Sequence, residues 1–161
     1  SFSPSPEICY NLQMKVEGPN DKEEPFPSLR SPDVYRSLID ASLERPLPKV
    51  SLSLEDFKNP VAGAGVEVSI HDEEGKKIGM MSLVPRKDGR ATSLIVGLYE
   101  KEGMGYMRAA YAELIPLLVE RGLRLASSTD RDPKIETLWR WLVTAGVARE
   151  RLDKPYSYEV L

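Results

Sequence analysis

Between residues 66 and 111 the apolar period changes from two to about 3.6, and the change falls on a turn holding two glycines. Val66, Val68 and Ile70 alternate with polar neighbours, Asp72-Glu73-Glu74-Gly75 supplies turn chemistry, and Ile78 through Val84 returns. Arg86-Lys87-Asp88-Gly89-Arg90 turns again, and Thr92 to Tyr99 makes a third strand. Beyond Gly103 and Gly105 the pattern is helical: Met107, Ala110, Tyr111, Leu114, Leu117 and Leu118 share a stripe that ends at Gly122. Pro116 is expected to kink this helix or weaken its middle. Such an order predicts a mixed α/β (α+β) domain, an antiparallel meander running into a helix.

The flanking segments extend the pattern. Ile8, Tyr10, Leu12, Met14 and Val16 alternate, predicting a strand over 7–16. Ser31-Pro32-Asp33 opens a helix with Val34, Leu38 and Ile39 on its apolar side, stopped by Pro46. Residues 53–57 read as one further helical turn before Pro60. Leu123 to Ser127 is a short strand, and Pro133 begins a last helix carrying Ile135, Leu138, Trp139, Leu142 and Val143. Tyr156 to Leu161 closes the chain as a strand. We expect one domain over 1–161, with 1–6 and 17–30 flexible.

Composition removes several function classes. The 161 residues carry a net charge of −3, which argues against a protein that coats nucleic acid. Cys9 is the single cysteine and His71 the single histidine, so an intrachain disulfide and a multi-histidine metal site are excluded. No apolar run approaches the roughly 20 residues that span a bilayer. The first residues lack the charged and apolar blocks of a secretory signal, and the chain opens on Ser1 rather than methionine, as a trimmed or partial chain would. The expected setting is cytoplasmic, with no membrane partner.

The chemistry concentrates at Val96-Gly97-Leu98-Tyr99-Glu100-Lys101-Glu102-Gly103-Met104-Gly105-Tyr106. Here a strand enters a glycine turn that opens a helix, which leaves backbone N–H groups unpaired at the positive end of the helix dipole. Phosphate or pyrophosphate suits such a site, and glycine lets backbone approach it closely. The plainer reading is that two glycines simply make a tight turn. A dinucleotide fingerprint would need a third glycine where Tyr106-Met107-Arg108 stands, and a P-loop would need Gly-Lys-Ser/Thr.

This element order and the glycine turn resemble the GNAT acyltransferase superfamily, whose pattern at that place is Gln/Arg-x-x-Gly-x-Gly/Ala. Here it reads Glu100-Lys101-Glu102-Gly103-Met104-Gly105. The resemblance implies an acyl-CoA N-acyltransferase-like mixed central sheet flanked by helices, with acetyl-CoA as acyl donor and no metal. It also implies that backbone around Val96 and Leu98 pairs with the pantetheine arm. Backbone N–H groups of Lys101, Gly103, Met104, Gly105 and Tyr106 would hold the pyrophosphate. The acceptor would be an amine of a small molecule or protein, and a homodimer stays open. Residues 125–130, with Thr137-Leu138-Trp139 and Gly146-Val147-Ala148, are similar to GNAT-like proteins of bacteriophages.

This sequence departs from the family in three ways. Glutamate replaces Gln/Arg at position 100, and Glu102 adds a second carboxylate that Lys101 and Arg108 offset only by turning inward. The third meander strand, Thr92-Ser93-Leu94-Ile95-Val96, carries no carboxylate. The family's tyrosine on the last helix is absent from Trp139 to Val147. No catalytic residue is therefore assigned, and a non-catalytic GNAT-like protein-interaction module is the alternative.

The remaining candidates have ordinary readings. His71, beside Asp72 at a hairpin tip, reads as a solvated turn residue rather than a base. Trp139 and Trp141 fall on different helix faces, one in the core and one partly exposed. Glu67, Ser69 and Ser82 are acceptor-side candidates by position alone. The mixed-sign runs 130–132 and 149–151 read as solvated surface, and Tyr156 with Tyr158 as strand packing.

Overall fold

A computed structural model describes residues 28–59 and 63–161; the strand expected over 7–16 and nearly all of the stretches expected to be flexible lie outside it. Helix α1 spans Pro32–Ser42. Pro32 stands at its start, where a missing N–H removes no helical bond, and Ser31 holds the extended N-cap conformation without a side-chain cap bond. The face it buries carries Tyr35 and Ile39, whereas Val34 is exposed. Tyr35 wins the inward position because its ring fills the core while its hydroxyl donates to the Leu161 carbonyl.

Four antiparallel strands follow: β1 Ser51–Asn59, β2 Gly63–His71, β3 Lys77–Pro85 and β4 Arg90–Leu98. The first corrects the helical turn expected at 53–57. All nine residues of β1 pair with β2, from Ser51 opposite His71 to Asn59 opposite Gly63. Among the described strands β1 lies at the edge of the sheet, Glu55, Asp56 and Lys58 stay in solvent, and the alternation that marks a strand is lost from the sequence.

Helix α2 (Tyr106–Val119) then crosses to β5 (Arg124–Ala126), helix α3 spans Pro133–Thr144, and β6 (Ala148–Glu150) and β7 (Tyr158–Val160) close the sheet. The seven strands lie in the order β1-β2-β3-β4-β5-β7-β6, with β5 parallel to β4. Helix α2 continues through Pro116, which sits in its last turn. Gly122 takes the left-handed conformation (φ 76°), and the Leu123 N–H reaches back to the Leu118 carbonyl at 2.9 Å.

One apolar core joins Tyr35 and Ile39 of α1, Leu114 and Leu118 of α2, and Leu138 and Leu142 of α3 to the inward residues of the sheet. Trp139 is fully buried there, edge-on to Tyr111 and stacked on Tyr158, both at 5.9 Å between ring centroids. A smaller cluster, Ile70, Ile78, Tyr106 and Ala110, packs the end of the β2–β3 hairpin against the start of α2.

Of the charged runs read as solvated surface, Asp130 and Glu150 are exposed as expected, whereas Arg131, Asp132 and Arg149 hold the fold together. Glu159 on β7 is fully buried and receives Arg90 at 2.8 Å and Arg149 at 2.9 Å. Arg131 is likewise buried against Glu136 at 2.6 Å, and Asp132 caps α3 by accepting from the Ile135 N–H at 2.9 Å. Tyr156 is corrected in the other direction: it is exposed at φ 63°, and the closing strand starts only at Tyr158.

These pairings predict that Glu159→Gln, which leaves two guanidiniums sharing a neutral partner, lowers stability by on the order of 3 kcal/mol in urea denaturation. Tyr156→Ser is expected to stay within about 0.5 kcal/mol of wild type. Asp153 shows how the arginine cluster responds to acid. Hydrogen bonding from Arg151 holds its carboxyl down to about 2. A depressed carboxylate stabilises above its ordinary range, so that contribution is expected to fade as the pH drops from about 4 toward 2.

Candidate functional site

The site begins where two parallel strands part. The β4–β5 ladder has three pairs, Arg90 with Arg124, Ala91 with Leu125 and Thr92 with Ala126. The Ser93 hydroxyl extends the link by donating to the Ala126 carbonyl at 3.2 Å. Beyond that point β4 continues to Leu98 with β3 on one side and, among the described residues, no strand on the other. A bulge marks the departure: Ser82 pairs with Ile95 and Leu83 with Ser93, so Leu94 is an extra residue and stands exposed.

That free edge opens into a cleft of about 970 Å³. Val96, Gly97 and Leu98 form one side, and Gly103, Met104, Gly105 and Tyr106 form the end at the start of α2. The far wall is the segment after α1, from Ser42 to Pro48, together with Ile135, Leu138 and Trp141 of α3. Six of the seven residues that the sequence marked for cofactor contact therefore meet in one cleft. Lys101 does not line it. Its ammonium lies 2.8 Å from Asp72 and 3.4 Å from Glu73 on the β2–β3 turn.

The turn has the backbone that a ligand-facing loop needs. Gly103 and Gly105 hold φ of 78° and 87°, and Gly105 is the N-cap of α2, with no side chain to satisfy the first-turn N–H groups. No acidic residue occupies that first turn. The two carboxylates of the turn each have a surface ion-pair partner: Glu100 pairs with Lys76 and Glu102 with Lys134, both at 2.8 Å. Arg108 does turn inward and lines the cleft, its guanidinium 4.9 Å above the Trp141 ring. The Trp141 indole N–H donates to the Ser42 hydroxyl at 2.9 Å, which fixes that ring in the far wall.

Charges along the cleft balance, with Arg45, Arg108 and Lys134 against Glu44, Glu102 and Asp132. Tyr111 has its hydroxyl buried without a formed hydrogen bond, and burial pushes its phenol well above the usual range. His71 ends β2 at a register shift and does not line the cleft, and neither do Glu67, Ser69 or Ser82. Sequence reasoning missed the far wall. Residues 42–48 and Lys134 carry no local motif, and only the split of the two tryptophans onto different faces hinted at Trp141.

Among the described residues no helix is long and apolar enough to cross a membrane, and no group of three His, Cys, Asp or Glu side chains is placed to hold a metal ion. Among the described residues, the strand order, the one parallel pair β4–β5 and the glycine turn between β4 and α2 make this the acyl-CoA N-acyltransferase-like mixed sheet that the sequence resemblance implied. No protein-family model and no curated protein matches the chain. A solved structure of similar outline is described as the "putative acyl-CoA N-acyltransferase" of Klebsiella pneumoniae. It has 12% identity and a TM-score of 0.43, and the match covers 68% of this chain and 94% of that one. At those values the likeness adds nothing about activity or substrate.

The two glycines are expected to differ under substitution. A Cβ at Gly103 meets open space, so Gly103→Ala bears only the left-handed backbone penalty of about 1–2 kcal/mol. At Gly105 the same Cβ lies 3.3 Å from Pro48 Cδ in the far wall. Gly105→Ala is therefore expected to lose more stability than Gly103→Ala in urea denaturation; equal losses would mean that Pro48 yields freely.

Proposed function

We propose that this chain is an acetyl-CoA-dependent N-acyltransferase acting on an amine of a small molecule or protein. The observation that carries the reading is a single continuous feature: the edge of β4 past Thr92, which no described strand covers, runs straight into the glycine turn at the start of α2, inside one cleft. Residues of this cleft suit each part of such a cofactor. Extended backbone at Val96 to Leu98 offers N–H and C=O groups to an amide-bearing arm in the manner of an added strand. The uncapped first turn of α2 offers N–H groups and a dipole to a pyrophosphate, with Arg108 beside it as a cation.

When bound, acyl-CoA supplies a thioester carbon open to attack by an amine. The chain contributes position. The cleft's length along β4 fixes the arm, and the bulge at Leu94 places the free edge beside the split where an acceptor can approach. The strand offers no carboxylate from Thr92 to Val96, so proximity and a thiolate-stabilising dipole carry more of the rate than general base catalysis. That absence favours the second reading, a non-catalytic GNAT-like module that binds a protein partner.

Isothermal titration with acetyl-CoA and CoA at low salt separates the two. The acyltransferase reading expects micromolar binding that Gly105→Val abolishes in a chain shown by circular dichroism to remain folded. No heat up to millimolar ligand would sink the enzyme reading and leave the fold as a scaffold for protein contact.

A further inference from the structure

We propose that Lys101 is a positioning residue: its side chain, with the Tyr106 hydroxyl, latches the glycine turn to the tip of the β2–β3 hairpin, and this latch sets the backbone that faces the cleft. The inference deepens the acyltransferase reading and relies on it only for the identity of the ligand.

The geometry is specific. Lys101 is a non-glycine residue in the left-handed region, at φ 61°. Such a residue costs on the order of 1 kcal/mol or more and persists only where its surroundings hold it. Here they do. The Lys101 ammonium donates to Asp72 Oδ2 at 2.8 Å and to Glu73 Oε1 at 3.4 Å, and lies 5.1 Å from the centre of the Tyr106 ring. The Tyr106 hydroxyl donates to Glu73 Oε1 at 2.5 Å. Lys76 and Glu100 make a third tie at 2.8 Å, and the Tyr99 N–H donates to the Ile78 carbonyl at 2.7 Å. Beneath these polar ties, Ile70 and Ile78 of the hairpin pack on Tyr106 and Ala110.

The hairpin tip is itself preset to receive the lysine. Asp72 is nearly fully buried, and its Oδ1 already accepts from the Glu74 N–H at 3.0 Å and the Lys76 N–H at 2.9 Å. Its second oxygen is left for Lys101. The lysine's hydrogen bond is the main cause holding the Asp72 carboxyl below its usual range, and the Tyr106 hydroxyl is the main cause for Glu73. Both carboxyls are thus ionised at neutral pH, and the latch holds until acid protonates them.

A direct phosphate contact by Lys101 makes the opposite prediction about Asp72. If the lysine binds the ligand, removing Asp72's charge frees it and tightens binding. If the lysine positions the turn, Asp72→Asn acts like Lys101→Met. Because Asp72 is nearly buried, Glu73→Gln at a half-exposed site is the second probe.

The experiment measures amide hydrogen exchange over 101–106 in the ligand-free chain, and CoA affinity by titration, for Lys101→Met, Asp72→Asn, Glu73→Gln and the Lys101→Met/Asp72→Asn double variant. The latch predicts exchange about tenfold faster in Lys101→Met and Asp72→Asn, with the double variant no faster than either, and CoA affinity weakened in the same direction by both. Unchanged exchange in both Lys101→Met and Glu73→Gln overturns it, as does weaker CoA binding in Lys101→Met with tighter binding in Asp72→Asn. Should the wild-type chain bind no CoA, the cofactor reading fails and exchange alone decides: faster exchange upholds the latch, unchanged exchange removes it.

Discussion

The parting of β4 from β5 is the constraint on which the rest of this molecule depends. A parallel pair normally gains from every residue added to its ladder, yet this one stops after Thr92 and Ala126 while β4 runs on to Leu98. The lost ladder is offset at the closed end. Arg90 and Arg149 converge on buried Glu159, Arg124 donates to the Val160 carbonyl at 3.0 Å, and the Ser127 hydroxyl accepts from the Tyr158 N–H at 2.8 Å. Those bonds tie the three short strands β5, β7 and β6 into the sheet, and among the described residues no strand pairs with the open end of β4. The cleft is what remains between the open end and the helices that cover the core.

The elements written in local period were legible in the sequence. The meander from Val66 to Leu98, the glycine turn and the helix after it follow from alternation, turn chemistry and helical spacing, and the structure places them accordingly. What failed was set by distant neighbours. Residues 51–59 form a strand because β2 pairs with every one of them, although Ser53-Leu54-Glu55-Asp56 reads as a helix start. The run at 149–151 looks solvated because its countercharge, Glu159, lies elsewhere in the chain and only the fold brings it near. The same holds for the site. Its β4 edge and turn are contiguous in sequence and were found, whereas its far wall is assembled from residues 42–48 and from α3.

Electrostatics recast the site rather than remove it. By sequence, two glutamates in the turn oppose a polyanion, and Lys101 and Arg108 offset them only by turning inward. In the fold each glutamate has its own lysine, Lys101 leaves the cleft for the hairpin, and Arg108 alone of the two faces inward, over Trp141. The cleft thus has the start of α2 and one stacked guanidinium where the family resemblance implied backbone N–H groups from Lys101 to Tyr106. Its charges balance, so selectivity for a ligand must come from where donors point and not from net attraction.

The central claim is that the free β4 edge and the α2 start together hold one extended, phosphate-bearing ligand. Backbone amide NMR of the isotope-labelled chain titrated with CoA tests it most directly. The account predicts shifts concentrated at Val96 to Leu98 and Gly103 to Arg108, with smaller ones at Trp141 and residues 42–48. Shifts confined to other surfaces, or none at millimolar CoA, would contradict it.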